Sequence, residues 1–551
     1  MASSLPTRET FEHRFRVLPS SDDPHLVHRK ALWDARGCKL SLDESELLDM
    51  PNDTLIDYLR ILYLNEIDIY FLLNNASLIH SSKPIAYENP CNERKALFLA
   101  RKLLVSQGAS TQRVAKLQGK IDSFCQAAND VRISSEVEVS HPYVSEVAPK
   151  CVVGNRSSAL GGGVGLYAKD HVSAGDDVIR VPEGNLRIIN VYEAAADAEF
   201  GPVVEGLLAA GHHIDTCLLM YLVQIYKSGK LRALPPIDCF VHYLPSEFSG
   251  NLMEWPVEAL DALGIPQIKH LVAQQMDLLW GIHRALPTGL CSSFDEELLW
   301  ARSLCDSRAF SLEVPPPTWC PQWLIKYLPP DQSITCVVPG ADLLNHHQRG
   351  QCGFPRFDKK SRSFVITAEA NVPAGSELFI NYGGLQNWEQ LMYYGFCEFA
   401  QNPYDSVTLD LAASGAADGL HLDRIGTEHI IRRGHPTVSP RLWEALTSMA
   451  GVEHPEELEE GAVDSLVNLL RQVTLAPLPE SSAANDWWKD DYGAVVDQGV
   501  GIPQFRSSQM ALVDEAERVL RNMVDHDRKT RAAHTSGRGS HRVAKSAKKR
   551  R

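Results

Sequence analysis

The sequence predicts an α+β fold, and three observations lead there. Short alternating strand patterns cluster near residues 161–186 and again near 335–382, for example VGLYA, DDVIRVP, SFVITAEANV and ELFINYG. A long stretch between them, about residues 192–310, repeats apolar residues at helical spacing, as in TCLLMYLVQIY and LLWARSLC. Strands that bracket a helical insert and are then followed by helices do not form a βαβ alternation, so a doubly wound parallel sheet is excluded.

In chain order, residues 1–145 read as a helical region that shows no chemistry of its own. DTLIDYLRILYLNEIDIYFLLNN (53–75) places apolar residues on one helical face behind an Asp/Thr start, NERKALFLARKLLVSQG (92–108) forms a second amphipathic helix stopped by Gly108, and 109–130 forms a third. Residues 150–400 hold the two strand clusters and the insert. The turns SAGD and VPAGS join strand pairs within them. Residues 405–527 return to helix, as in SSQMALVDEAERVLRNMVD, after a Pro/Ser/Ala-rich linker near 475–485, and 528–551 read as a basic, disordered tail.

Length and composition set the outer limits. A chain of 551 residues with 44% hydrophobic content can bury more than one core, because single cores stop growing near roughly 250–300 residues. No apolar run approaches the ~20 residues a membrane helix needs, and the N-terminus lacks a continuous apolar segment of the secretory kind, so no membrane contact and a cytoplasmic or nuclear location are expected. The twelve cysteines are scattered singly without a Cys-x-x-Cys pair, the pattern of reduced core thiols, and no metal site is expected. The net charge of −15 conceals ten Lys or Arg and no acid between Arg528 and Arg551, which leaves the preceding residues at −25. An acidic body favours basic partners. The tail admits three readings: a solvated solubility element, a nuclear-import signal, or a nucleic-acid contact. The Glu456–Glu460 patch reads as a solvated face.

Four stretches carry candidate chemistry. GGGVG (161–165) is no dinucleotide fingerprint, because a strand and a turn follow it where a helix would have to open; it fits either close approach of backbone to a ligand or a strained hairpin. SLCDSRAF (303–310) ends a helix with Arg308, whose guanidinium could clasp a carboxylate. ADLLNHH (341–347) ends in an amide and two imidazoles, without a third ligand at metal spacing. GSELFINYGG (375–384) delivers Tyr382 to a double glycine, either as a packing residue or as a site hydroxyl.

Taken in order, GGGVGLYAKDHV, SLCDSRAF, ADLLNHH and AGSELFINYGGLQNWEQLMYYGF resemble the SET-domain methyltransferases. The helical insert and the C-terminal helices resemble the branch typified by the Rubisco large-subunit methyltransferase, over roughly residues 150–525. The resemblance implies a SET β fold with pseudoknot-like threading and an inserted helical subdomain, flanked by N- and C-terminal helical regions. It implies S-adenosylmethionine as cofactor, held by Gly162, Gly163, Val164, Arg308, Asp342 (on the same strand as the next two), Asn345, His346 and Phe396. Tyr382 matches the catalytic tyrosine, and Phe310 and Tyr394 fall at substrate-binding positions. The implied activity is methylation of a protein lysine by a monomeric enzyme; no cysteine follows Cys397 to build the zinc-binding post-SET motif of many histone methyltransferases, which favours a non-histone substrate. Two alternatives stand beside it. One is an actin-type histidine methyltransferase, which Phe310 disfavours because a ring cannot offer imidazole a conventional hydrogen bond; the other is a SET-fold binding module without catalysis. His347 stands where the family more often has Ser, and its role is open.

Overall fold

In this computed structural model, the described residues are 23–38, 49–69, 89–132, 141–156, 163–408 and 430–433, with short gaps, together with helical positions between 461 and 522. Gly161, Gly162, the 456–460 patch, the 475–485 linker and the basic tail lie outside them. The chain forms two compact units. One comprises Met1–Pro256, Leu271–Cys397 and Asn485–Val500; the other comprises Val257–His270, Glu398–Ala484 and Gly501–Arg551.

The first unit opens with a helical layer. Its described helices include Leu26–Ala35, Asn52–Leu62, Pro90–Ser106 and Thr111–Asn129. Leu32, Trp33, Leu55, Tyr58, Leu97, Leu117 and Ile121 form their shared core. Asn89 caps the third helix by accepting from Asn92 N, with Pro90 at its first position, and Ser110 caps the fourth by accepting from Arg113 N. The helix predicted over 53–75 ends at Leu62, where Tyr63 caps it. The apolar periodicity runs past that end, so spacing alone does not mark it. Of the downstream part, residues 65–67 and 70–75 are not among those described.

This layer is tied to the strand region. Asp122 accepts from Asn371 N (2.9 Å) and from its side-chain amide (2.8 Å), Gln118 donates to Glu369 O (3.1 Å), and Asn129 donates to Asn371 O (3.0 Å).

The strands form small sheets. Strands β1 (Cys151–Asn155) and β2 (Val164–Ala168) pair antiparallel, β3 (Asp177–Pro182) pairs antiparallel with β8 (Ser363–Thr367), and β8 with β7 (Arg356–Asp358). Strands β4 (Phe310–Glu313) and β5 (Ser333–Cys336) make a further antiparallel pair, while β6 (Asn345–His346) lies parallel to β9 (Phe379–Ile380). The insert between β3 and β4 is helical, running from Val191–Ala196 to Trp300–Arg308, and a single core joins its residues 191–253 and 279–305 to the strands.

Strand β9 is threaded through its neighbours. Leu378 N donates to Leu166 O on β2 (2.8 Å), while the segment 345–352 bonds it through His347 N to Ile380 O and Cys352 N to Phe379 O (both 3.0 Å). Gly350 makes this loop possible: a Cβ there would sit 2.8 Å from Phe379 O. This is the pseudoknot-like crossing the sequence implied.

In the second unit, β10 (Ser406–Thr408) pairs antiparallel with β11 (Ile430–Arg432), inside a stretch expected to be helical. Three-residue strands are too short to print an alternating pattern. Asp405, fully buried, accepts from Ser508 and Gln509.

Candidate active site

The crossing of β9 over β2 and β6 gathers the motifs. Asn345 Nδ2 donates to Val164 O (3.0 Å) and to Glu377 Oε1 (2.8 Å). Glu377, without solvent exposure, also pairs with Arg156 (3.0 Å), and Tyr167 OH donates to its other oxygen (3.4 Å). Burial pushes the Glu377 carboxyl above its ordinary value against the pull of Arg156 and Asn345. A Cβ on Gly165 would stand 2.5 Å from Glu377 Oε1 and 2.9 Å from Asn345 Nδ2. The second glycine of the GxG therefore exists to admit this network. Gly163 adopts φ +77 with open space where a Cβ would point.

At the end of β9, Tyr382 is held at both ends. Its peptide N–H donates to His346 Nδ1 (2.9 Å) and its hydroxyl to Leu344 O (2.7 Å). Its ring stacks on Tyr394 (4.6 Å) and lies 5.1 Å from His346, and Phe396 closes the cluster 5.8 Å from His346. Burial, reinforced by Tyr394, raises the Tyr382 phenol well above its ordinary value, so the hydroxyl keeps its proton. Burial and the cations Arg94 and Arg156 push His346 down to about 3, which leaves it neutral and its Nδ1 an acceptor. Asn381 orders the turn beyond, donating to Gln348 O (2.9 Å) and accepting from Gly383 N (2.8 Å).

The structure thus gathers Val164, Asn345, His346, Tyr382, Tyr394 and Phe396. Asp342 departs from expectation. It lies on a 3₁₀ turn, Ala341–Leu343, and not on the strand with Asn345, because Gly340 (φ +85) breaks the extended run before it. Its carboxylate binds Arg308 Nη1 (2.7 Å) and accepts from Gly340 N (2.9 Å), so the two residues expected to face a cofactor also face each other. Phe310 opens β4 and packs on Phe364 at 5.2 Å. His347 proves to be a turn residue: its Nδ1 accepts from Arg349 N (3.0 Å), and its ring lies 5.3 Å from Phe379. Among the described residues no cluster of three His, Cys, Asp or Glu could hold a metal ion.

Glu377, Arg156 and Tyr167 were not singled out by sequence reasoning. The signal for Glu377 lay in GSELFINYG itself, three residues before β9 ends, whereas Arg156 stands in no motif.

These features define a SET domain, and residues 163–383 match the SET-domain family model. Among curated proteins, the chain is similar to the ribosomal lysine N-methyltransferase set10 of Schizosaccharomyces pombe, 27% identical over 178 residues. That match covers 31% of this chain and 30% of the relative, so the chain spans less than a third of that relative's length. Among solved structures, it resembles the SET domain of LSMT bound to lysine and AdoHcy (TM-score 0.44, 16% identity) and Rubisco LSMT bound to AdoMet (TM-score 0.44, 15% identity). Each covers 74% of this chain and 92% of the other.

Proposed function

We propose that the protein transfers methyl groups from S-adenosylmethionine to the ε-amine of a protein lysine. The observation that carries this reading is Tyr382, set in a SET domain with its hydroxyl on Leu344 O and its peptide on His346. The name of the fission-yeast relative, a lysine N-methyltransferase, supports the acceptor.

The residues present suit the cofactor. Gly163 leaves bare backbone beside open space, Phe396 offers a ring for a purine, and Arg308 donates from Nη1 to Asp342 while its guanidinium carries five donors. Gly163, Val164, Asn345, His346, Phe396 and Arg308 would hold it. When bound, it supplies an electrophilic methyl group on a sulfonium. The oxygens of Tyr382 and Leu344 would be the ones to position that methyl, by weak C–H···O contacts. Tyr382, proton-bearing and donating to a carbonyl, orients and does not abstract. Deprotonating lysine at pH 7 costs about 4.6 kcal/mol from its unperturbed pKa of ~10.4, and an ammonium brought against the stacked rings of Tyr382 and Tyr394 would meet a lower cost through desolvation. With a net charge of −15, the chain favours encounter with basic protein substrates.

The test is incubation with methyl-labelled cofactor and cell extract, followed by mass spectrometry of the labelled residue. Methyl-lysine is expected; methylhistidine as the sole product sinks the lysine reading. Tyr382→Phe is expected to abolish labelling while leaving cofactor affinity within about threefold. Unchanged turnover would remove the tyrosine from the chemistry.

A further inference from the structure

Arg94 is fully buried on the helix Pro90–Ser106, far in sequence from every motif above. Its Nε donates to Gly350 O (2.9 Å) and its Nη2 to Cys352 O, while the guanidinium lies between the rings of Phe98 (4.7 Å) and Phe354 (4.8 Å). Its Nη1 has no hydrogen-bond partner among the described residues. Burying an arginine on carbonyls and rings, without a hydrogen-bonded carboxylate, is expensive, so the arrangement calls for a reason beyond packing.

The two carbonyls identify that reason. Gly350 and Cys352 belong to the loop 345–352 that encloses β9: Gly350 approaches Phe379 O so closely that a Cβ would not fit, and Cys352 N donates to Phe379 O. The same loop carries His346 at its start, and β9 delivers Tyr382 at its end. Resting on the proposed methyl transfer, we infer that Arg94 is a positioning residue for the tyrosine site, acting through the carbonyls of Gly350 and Cys352 on the hydrogen bond from Tyr382 N–H to His346.

Charge reinforces the geometry. The charged groups acting on His346 are Arg94 and Arg156, and the rings against it are those of Tyr382 and Phe396. Both cations oppose protonation of the imidazole. A protonated ring carries hydrogen on both nitrogens and cannot accept from Tyr382 N. Removing the Arg94 charge therefore weakens that opposition, while burial, the larger cause, still keeps the ring neutral and able to accept. The N-terminal helical layer, which shows no chemistry in its sequence, becomes part of the site.

The experiment compares wild type, Arg94→Met and Arg94→Lys by methyl-transfer kinetics at about pH 8, with kcat and KM separated, and by amide hydrogen exchange of the 378–385 segment. For Arg94→Met, kcat is expected to fall on the order of 10²-fold, the scale of a roughly 1 Å misplacement. Its KM should stay near that of wild type and exchange of the segment should quicken, while exchange in β3 and β8 stays that of wild type. Arg94→Lys, which keeps the charge and one donor, should restore most of kcat and of the protection. A soluble Arg94→Met protein with wild-type kcat and exchange overturns the inference, and so does a lysine variant indistinguishable from the methionine one. If Arg94→Met does not fold, Phe354→Leu, which removes one ring face from the guanidinium, should lower kcat and quicken exchange of the segment in the same way by less; an unchanged segment overturns it. A wild type without any methyl transfer refutes the proposed function instead, and the exchange measurements still decide the role of Arg94.

Discussion

The glycines of the GxG motif should fail for different reasons when replaced by alanine, and the structure says by how much. At Gly165 the new Cβ would lie 2.5 Å from Glu377 Oε1, 3.1 Å from its Cδ and 2.9 Å from Asn345 Nδ2. These atoms have nowhere to go, because Glu377 has no solvent exposure and is tied to Arg156 at 3.0 Å. Overpacking of a tight core costs about 1–3 kcal/mol. Displacing the carboxylate also gives up the 2.8 Å bond from Asn345, worth about 1.5–3 kcal/mol for a charged acceptor. Gly165→Ala should therefore cost about 3–5 kcal/mol, more than a hundredfold in the folding equilibrium. At Gly163 the Cβ meets open space, and only the positive φ is penalised, by roughly 1–2 kcal/mol.

Urea unfolding of the two variants, followed by far-UV circular dichroism, checks the difference directly. A Gly163→Ala protein as unstable as Gly165→Ala would refute the packing argument. The sharper test is a cycle with Glu377→Asp, which withdraws the carboxyl by one methylene. If the clash is with Glu377, the aspartate should recover at least ~1 kcal/mol of the Gly165→Ala loss. Strict additivity would mean that the collision lies elsewhere.

Two further outcomes follow from protonation. His346 is held down to about 3 when folded but titrates near ~6.5 when unfolded, so the unfolded chain binds the extra proton between those values and stability falls as pH drops through that window. Going from pH 7.5 to 5.0 should cost up to about 2 kcal/mol through this residue, read as the difference in urea midpoints between wild type and His346→Gln; equal pH slopes would contradict it. Because Tyr382 keeps its proton, Glu377 is spent on Asn345 and Arg156, and Asp342 is held by Arg308, none of the described carboxylates or phenols at the site is available as a base. Under the proposed activity, kcat/KM should rise about tenfold per pH unit between pH 6 and 8 with the neutral fraction of lysine, and a bell-shaped profile would expose a base that this account lacks.

How much of this was legible in the sequence depended on whether a residue's role is local. The strands VGLYA and SFVITAEANV carry their own alternation, and Asn345, His346 and Tyr382 stand out by the abrupt change of chemistry around them. Partnerships across the chain left no such mark. Arg156 and Glu377 are 221 positions apart, and Arg94 and Gly350 are 256 apart, so nothing in either neighbourhood announces the other. Asp342 was misplaced onto the strand because the apolar run VVPGADLL reads as one extended segment, whereas Gly340 turns it. His347 drew attention as half of a pair of imidazoles, and the pair turns out to be divided: one ring receives Tyr382 N–H and the other fastens a turn.

That division bears on how the site tolerates change. The groups that hold Tyr382 and the turn after it are acceptors drawn from the backbone or from neutral side chains: Leu344 O and His346 Nδ1 for the tyrosine, and Asn381 Oδ1 for Gly383 N. Such partners resist ionic strength, since no exposed charge pair holds the tyrosine in place. They are also intolerant of displacement, because each accepts along a fixed direction set by β6, β9 and the loop between residues 345 and 352. Orientation at Tyr382 is therefore only as firm as the crossing that positions those segments. The crossing in turn is fastened by Glu377 from one side and Arg94 from the other, two buried ionisable groups whose desolvation costs stability. A fold optimised for stability alone would replace both with apolar side chains. Keeping them makes sense where a hydroxyl must be presented in one direction, and that requirement connects the buried network to the chemistry.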